Sequence, residues 1–178
     1  MTSTDFLALL GQSIEAFNEY RAAHPDEPVS FAGAELQRRD LSGIDLHGAN
    51  LFEVNLSWGN LQNANLEGAD LRRGRLEGCN LAGARLDGAS MEHANLRAAQ
   101  LPGASLRGVA MYAGVLQGAN LRDASLHDAD LRKVGLCDAD LTGAVFTGAD
   151  LREADLRWAN YKVDDLADAD MRAARIRD

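Results

Sequence analysis

The chain has 178 residues, a formal net charge of −9, 46% hydrophobic residues and only 6% aromatic residues. No stretch approaches the roughly 18 apolar residues that a membrane span requires, and the N-terminus lacks the basic start of a signal peptide. We therefore expect a soluble, cytoplasmic protein that does not span a membrane. The acidic balance also disfavours direct binding to nucleic acid.

Residues 1–28 are predicted to form an α-helical cap and a linker. Between Thr4 and Ala23 the apolar residues recur at helical spacing and lie on one face. Ser3 or Thr4 can serve as the N-cap, and Pro25 follows the end of the helix. We expect this helix to cover the first coil of the segment that follows. A membrane-surface helix is the alternative, but the segment is too acidic to suit anionic lipid.

From Phe31 to Ile176 a large apolar residue recurs at every fifth position, without insertion or deletion, in thirty consecutive units. This central residue is Leu in 23 units and the residue two before it is Ala in 19, so both positions are predicted to face inward. A period of five fits neither a helix face nor a strand. A repeat sustained this long is typical of a solenoid, whose units bury their apolar faces only by stacking.

The units have a common form: a small residue, Asn or Asp, Leu, then two variable positions. In this they resemble the pentapeptide-repeat family. The resemblance covers residues 29–178 and implies an all-β solenoid, a right-handed four-sided parallel β-helix with four units per coil and about 7.5 coils. The methionines Met91, Met111 and Met171 are separated by multiples of twenty, which agrees with twenty residues per coil. Asn or Asp before the central residue and Gly two places after it are expected at the corners.

If each coil has four sides, six acids and two arginines lie on the side whose central residues are Leu46 and every twentieth residue after it. The resemblance implies that characterised family members imitate duplex DNA, bind DNA gyrase and confer quinolone resistance. Over an array of roughly 36 Å, B-DNA presents on the order of 20 charges, so this chain is a weak mimic with one acidic row. The resistance members also carry interrupting loops and a C-terminal dimerising helix, which this sequence lacks. The candidate contact residues are Asp45, Glu67, Asp87, Asp128 and Asp168.

Two further sets of residues are candidates for binding a partner. Trp58 and Trp158 share one outward slot on another side, five coils or about 24 Å apart, and Trp is enriched at binding hot spots. The last coil has no cover, and we expect it to pair end to end with a second copy. A self-capped terminus built from Asp164, Arg175, Arg177 and Asp178 is the alternative. The candidate dimer residues are Tyr161, Leu166, Met171 and Ile176.

No catalytic, cofactor-binding or metal site is predicted. His47 and His127 lie four coils or about 19 Å apart, too far to share one metal ion. Cys79 and Cys137 are about 14 Å apart, beyond disulfide reach. We therefore predict a non-enzymatic protein-binding or scaffold solenoid whose partner the sequence does not name. The alternatives are a DNA-mimicking modulator that protects gyrase from a drug or toxin and, third, an enzyme with a shallow surface site.

Overall fold

The computed structural model describes residues 3–176, and its helices lie near the two ends of the chain. Helix α1 spans Ser3–Leu10, helix α2 spans Ile14–Ala23, and a short 3-10 helix spans Val163–Leu166. The side chains of the predicted N-cap residues lie outside the described part, as do the two terminal residues of the predicted self-capped end. These residues are Ser3, Thr4, Arg177 and Asp178.

The N-terminal segment contains two helices where the sequence predicts one. The backbone N–H of Gly11 still donates to Leu7 and Ala8, at 3.1 Å each, and then the helix ends. Ser13 has an extended backbone and its side chain accepts a hydrogen bond from Ala16 N at 3.0 Å, which makes it the N-cap of α2. Gly is a poor helix former and Ser a good cap, so the chain turns here.

The two helices pack on the first coil through aromatic side chains. Phe6 and Phe17 are buried, and the ring centroid of each lies 6.1 Å from that of Phe31. Asn18 donates to the carbonyl of Gly43 at 2.9 Å and accepts from the backbone N–H of Asp45 at 2.9 Å. The first coil of a solenoid has backbone groups with no preceding coil to bond to. The Asn18 side chain supplies partners for two of them, the carbonyl of Gly43 and the N–H of Asp45.

Residues twenty apart are joined along the repeat array by parallel bridges of one residue each, from Ser30↔Asn50 to Asp155↔Arg175. The N–H of Phe31 donates to Asn50 O at 2.8 Å, and the N–H of Asn50 donates to Val29 O at 2.9 Å. This register gives the predicted coil of twenty residues with four sides. The described residues contain no strand longer than one residue, because the chain turns in every unit.

Except around the 3-10 helix, each described corner is a turn whose third residue has a positive φ. The N–H of Ala34 donates to Phe31 O at 2.9 Å, and Gly33 between them has φ 66°. Positive φ at the third position only is the pattern of a type II turn, which favours Gly there. Twelve glycines occupy this position, as predicted, but fifteen other residues also adopt it, including both tryptophans. The stacking of coils therefore holds many non-glycine residues in the left-handed region.

The central residue and the residue two before it fill the interior, as predicted. Leu66 and Ala64, for example, are both fully buried. Cys79 is also buried, and its thiol donates to Leu56 O at 2.7 Å. Burial raises the pKa of Cys79 to about 11. Cys79 and the half-buried Cys137 are both free thiols.

The coil geometry is interrupted near the C-terminal end, although the sequence has no insertion there. The repeat places Asp164 in an inward slot, but the structure exposes it on the 3-10 helix. Lys162 N donates to Asp165 Oδ2 at 3.0 Å within this turn. Burying an unpaired carboxylate is costly, so the backbone leaves the coil instead. The register resumes at the bridge Asp150↔Asp170.

Candidate protein-binding faces

The outward side chains form four faces, one on each side of the coil, and they stack in columns because each coil is in register with the next. On the tryptophan face the central residues are every twentieth residue from 36 to 176. On the acidic face, on the opposite side of the rod, they are every twentieth residue from 46 to 166. The other two faces lie between them. The central residues are every twentieth residue from 31 to 171 on the ladder face and every twentieth residue from 41 to 161 on the amide face. Every predicted site residue lies on the first two faces or at the C-terminal end.

Asp45, the first acid of the acidic face, is part of the joint between α2 and the solenoid. Its Oδ1 accepts a hydrogen bond from Asn65 at 2.9 Å and lies 3.0 Å from His47 Nδ1. The buried Arg21 contacts the same residue, with Nη2 3.1 Å from His47 Nδ1 and donating to His47 O at 2.9 Å. Asp45 and His47 therefore have a structural role here, which the sequence did not indicate.

The rest of the acidic face is only partly neutralised. Glu67 forms an ion pair with Arg85, and Asp87 accepts a hydrogen bond from the backbone N–H of Arg107 at 2.8 Å. The six acids and two arginines of the face sum to −4. The bridges of this face run from Asp45↔Asn65 to Ser125↔Val145, so the structure brings Asp45, Glu67, Asp87 and Asp128 onto one face, whereas Asp168 follows the 3-10 helix beyond them. Those with no ion pair or side-chain hydrogen bond to another described residue are Asp128 and Asp168.

The tryptophan face carries the two largest exposed apolar side chains. Trp58 is 58% exposed and Trp158 is 56% exposed, and both occupy the positive-φ position of their turns. The Trp58 ring lies flat over Gly78 in the next coil, since a Cβ on that glycine would come within 2.3 Å of the ring. Val115, 38% exposed, lies between the two tryptophans along the same side.

Trp158 is fixed by an arginine next to it. The guanidinium carbon of Arg157 lies 5.2 Å from the Trp158 ring centroid. Two hydrogen bonds hold that guanidinium against Asp155, Nε to Oδ1 at 2.8 Å and Nη2 to Oδ2 at 2.7 Å. They lower the pKa of the Asp155 carboxyl well below its usual range. The indole is therefore held in place but remains open to solvent on its outer side.

The ladder face contains ion pairs that the sequence analysis did not anticipate. Arg132 binds Asp130 through two hydrogen bonds, from Nε at 2.7 Å and from Nη2 at 2.6 Å. Its Nε also lies 3.7 Å from Asp150 in the next coil. The guanidinium carbon lies 5.6 Å from the ring centroid of Tyr112. The signal in the sequence is Asp and Arg on either side of a central residue. The same pairing joins Asp70 with Arg72, Asp150 with Arg152 and Asp170 with Arg172.

Two shallow clefts lie on the ladder face, of about 370 Å³ and about 230 Å³. The larger is lined by Phe52, Arg72, Arg73, Glu92 and His93. Both arginines already face carboxylates, Arg72 at Asp70 and Arg73 at Glu53. These clefts are therefore gaps between side chains of an ion-pair network.

The C-terminal end is less regular than predicted. Leu166 is buried, Tyr161 and Met171 are half-buried, and Ile176 is 52% exposed. Val163 on the 3-10 helix is 83% exposed and was not among the predicted residues. The end-to-end homodimer through these residues stays a prediction.

Metal-binding clusters and membrane-spanning helices are both absent from residues 3–176. No group of three or more His, Cys, Asp or Glu side chains is arranged to hold a metal ion in this range. Neither helix α1 nor helix α2 is long and apolar enough to cross a membrane.

Comparison with known proteins identifies the repeat. The family model described as pentapeptide repeats matches eight copies, which together span more than half of the chain. No curated protein sequence matches significantly. The matched ranges are 30–68, 49–76, 75–111, 114–136 and 133–160.

Several solved structures are similar to this chain. A trypsin-treated variant of QnrB1, a plasmid-mediated fluoroquinolone resistance protein, is 19% identical with a TM-score of 0.46, over 85% of this chain and 90% of that one. Rfr23 from the cyanobacterium Cyanothece 51142 is 21% identical with a TM-score of 0.28, over 90% and 97%. The protein alr5209 from Nostoc Pcc 7120 is 26% identical with a TM-score of 0.30, over 85% and 100%.

The family match and the twenty-residue register of the coils agree with each other. Both account for the buried Leu and Ala positions and for a turn in every unit. This chain therefore belongs to the pentapeptide repeat family and is a right-handed β-helix solenoid.

Proposed function

We propose that this chain is a non-enzymatic protein-binding solenoid that contacts its partner through the tryptophan face. The observation that carries the proposal is the presence of two tryptophans, each more than half exposed, in the same position of one face. They lie about 24 Å apart on a rod whose coils are joined in a fixed register. Such spacing suits one partner that makes two contacts.

The energetics support a binding role for these two residues. An aromatic side chain buries roughly 150–250 Å². Covering the exposed half of one tryptophan thus contributes about 2–3 kcal/mol at roughly 25 cal/mol per Å². The position itself favours glycine, because a positive φ is costly for a bulky residue. Trp58 and Trp158 have the largest side chains among the fifteen non-glycine residues at this position, and both are more than half exposed.

Affinity capture with matched variants tests this proposal. The full chain is immobilised as wild type, as the double variant Trp58→Gln/Trp158→Gln, and as the control Phe52→Gln/Tyr112→Gln on the ladder face. Quantitative mass spectrometry should find proteins that the wild type and the control retain and that the tryptophan variant loses. If the tryptophan variant retains the same proteins as the wild type, the tryptophan face is not the binding surface.

The acidic face supports a second candidate, a DNA-mimicking modulator of DNA gyrase. Its charge sums to −4 along the rod, and Asp128 and Asp168 have no countercharge among the described residues. B-DNA presents on the order of 20 charges over the same roughly 36 Å. Only a single row of phosphates is therefore imitated, which makes this candidate the weaker one.

A supercoiling assay with gyrase tests the second candidate. The protein is titrated to low micromolar concentration with and without a fluoroquinolone. The mimic predicts inhibition or drug protection that is lost in Asp87→Asn/Asp128→Asn and kept in Asp123→Asn, an acid on the amide face. Equal activity in all three proteins would exclude the acidic face as the cause.

A further inference from the structure

The outward residues of the tryptophan face are arranged symmetrically about the middle of the rod. Coils are in register, so residue numbers twenty apart mark equal steps along this face. A two-fold axis that crosses the face between Ala98 and Gly118 reverses the order of the coils. It exchanges Trp58 with Trp158, and at the centre it places Ala98 opposite Gly118 and Arg97 opposite Gln117.

The same operation on two antiparallel copies gives complementary contacts. Trp58 of one copy faces Trp158 of the other, and this contact occurs twice. Glu35 faces Arg175 in the same way, also twice, which places opposite charges together near both ends of the interface. Both residues are exposed. Among the described residues of this face, the operation brings no two like charges together.

The ladder face gives the opposite result under the same operation. It would place Asp70 against Asp130, Arg72 against Arg132, Arg73 against Lys133 and Glu53 against Glu153. On the acidic face, whose middle coil is centred on Leu106, it would place Arg107 against Arg107 of the second copy. The amide face has no such repulsion, but its described outward residues include no aromatic anchor. For an axis at the middle of the rod, which overlaps the two copies along their whole length, self-complementarity with an aromatic anchor is thus a property of the tryptophan face among the described residues.

We propose that the partner of the tryptophan face is a second copy of this chain, packed side by side in the antiparallel direction. The inference rests on the binding role proposed for the two tryptophans and names their partner. Each rod contributes one narrow side of seven to eight coils, so the interface lies near the lower end of the roughly 1,200–2,000 Å² of stable complexes. We therefore expect a dissociation constant in the micromolar range.

Analytical ultracentrifugation of the full chain tests the interface, at concentrations from about 1 µM to about 200 µM that bracket a micromolar constant. Wild type should dimerise, and Trp58→Gln should raise the dissociation constant at least tenfold. Phe52→Gln, which removes an aromatic residue from the ladder face, should leave it unchanged. A monomeric wild type over the whole range, or equal constants for all three proteins, would overturn the proposal.

Charge reversal provides a test that does not remove an aromatic group. All variants are made in an Arg75→Gln background, because Arg75 forms an ion pair with Glu35 in the same chain at 2.7 Å. In that background Glu35→Arg alone and Arg175→Glu alone each create like-charge contacts and should weaken the dimer about tenfold or more. Combining the two charge reversals restores opposite charges and should recover the dissociation constant of the Arg75→Gln background within about threefold. Failure of the double variant to recover, after both single variants weaken the dimer, would refute this pairing.

A distance measurement distinguishes the side-by-side dimer from an end-to-end one. A spin label is placed at Ala32→Cys in a Cys137→Ser background, and Cys79 is protected by burial. At about 4.8 Å per coil, antiparallel rods separate the two labels by about 35 Å along the axis, whereas pairing through the C-terminal ends separates them by close to 70 Å. The longer distance would reject the proposal. The chain could be monomeric while the Trp58→Gln variant fails to retain a protein that the wild type captures. In that case the tryptophan face still binds a partner, but the partner is not a second copy of this chain.

Discussion

Truncation of Phe17 tests whether helix α2 holds the first coil in place. Phe17 is fully buried, and its ring lies 6.3 Å from that of Phe6 and 6.1 Å from that of Phe31, between centroids. Replacing a buried Phe with Ala typically costs about 3–5 kcal/mol, through lost burial and the cavity left behind. We expect Phe17→Ala to lower the free energy of unfolding by this amount, or to detach the helices locally if they open before the solenoid.

Hydrogen exchange measured by NMR separates these two outcomes at two neighbouring amides. The N–H of Asp45 donates to the Asn18 side chain of α2, whereas the N–H of Leu46 donates to Asn65 O in the next coil. A local loss of about 3 kcal/mol speeds exchange roughly a hundredfold, at 1.4 kcal/mol per tenfold. Local detachment should speed Asp45 far more than Leu46, and global destabilisation should speed both.

The matched control is Phe52→Ala, an aromatic residue on the ladder face. Phe52 is half-buried and its main aromatic interaction is with Arg72, whose guanidinium carbon lies 5.8 Å from the ring centroid. Such an exposed contact is worth about 0.5–1 kcal/mol. If Phe17→Ala costs no more than this control and leaves the Asp45 amide protected, α2 does not stabilise the first coil.

Three more predictions follow from single contacts. Gly78→Ala should be more destabilising in urea than Gly88→Ala, because a Cβ at Gly78 meets the Trp58 ring at 2.3 Å while Gly88, also at positive φ, has open space; equal costs would contradict the ring position. The pKa of Asp170 is lowered to about 2, so its contribution is complete above its unfolded pKa near 4 and is lost as pH falls towards 2. The urea midpoint should therefore drop between pH 5 and pH 2, and Asp170→Asn should reduce that drop. Cys79, with its pKa raised to about 11, should react with a thiol reagent at pH 8 only after unfolding; fast reaction of two thiols per native chain would show that it is accessible.

The sequence predicted the interior of the solenoid well, because the same two positions of every unit point inward. Leu66 and Ala64 follow directly from the period, and so does the burial of Cys79. The twenty-residue coil followed from the resemblance and from the spacing of the methionines, and the bridges have this register. Because every unit has nearly the same backbone geometry, inward positions that are correct for one unit are correct for most of the others.

Departures from the repeat were harder to predict because each depends on one residue. Gly11 alone does not stop a helix, and only Ser13 as a new N-cap explains why two helices form. Asp164 fits the count of five, but the cost of burying its carboxylate changes the backbone around it. The ion pairs of the ladder face could not be predicted from the repeat, because they depend on how an arginine after a central residue reaches back to the aspartate before it.

The two candidate binding faces lie on opposite sides of the rod, so the two proposals do not compete for the same surface. The tryptophan face surrounds Leu36 and the acidic face surrounds Leu46, two corners away in a four-sided coil. An antiparallel dimer through the tryptophan face therefore leaves both acidic faces exposed on its outer sides. The variant Trp58→Gln should raise the dissociation constant of the dimer at least tenfold while leaving any effect on gyrase unchanged per chain. Asp87→Asn/Asp128→Asn should remove the effect on gyrase and leave the dissociation constant of the dimer unchanged. Coupled losses in both variants would mean that one surface serves both activities, contrary to the geometry of the coil.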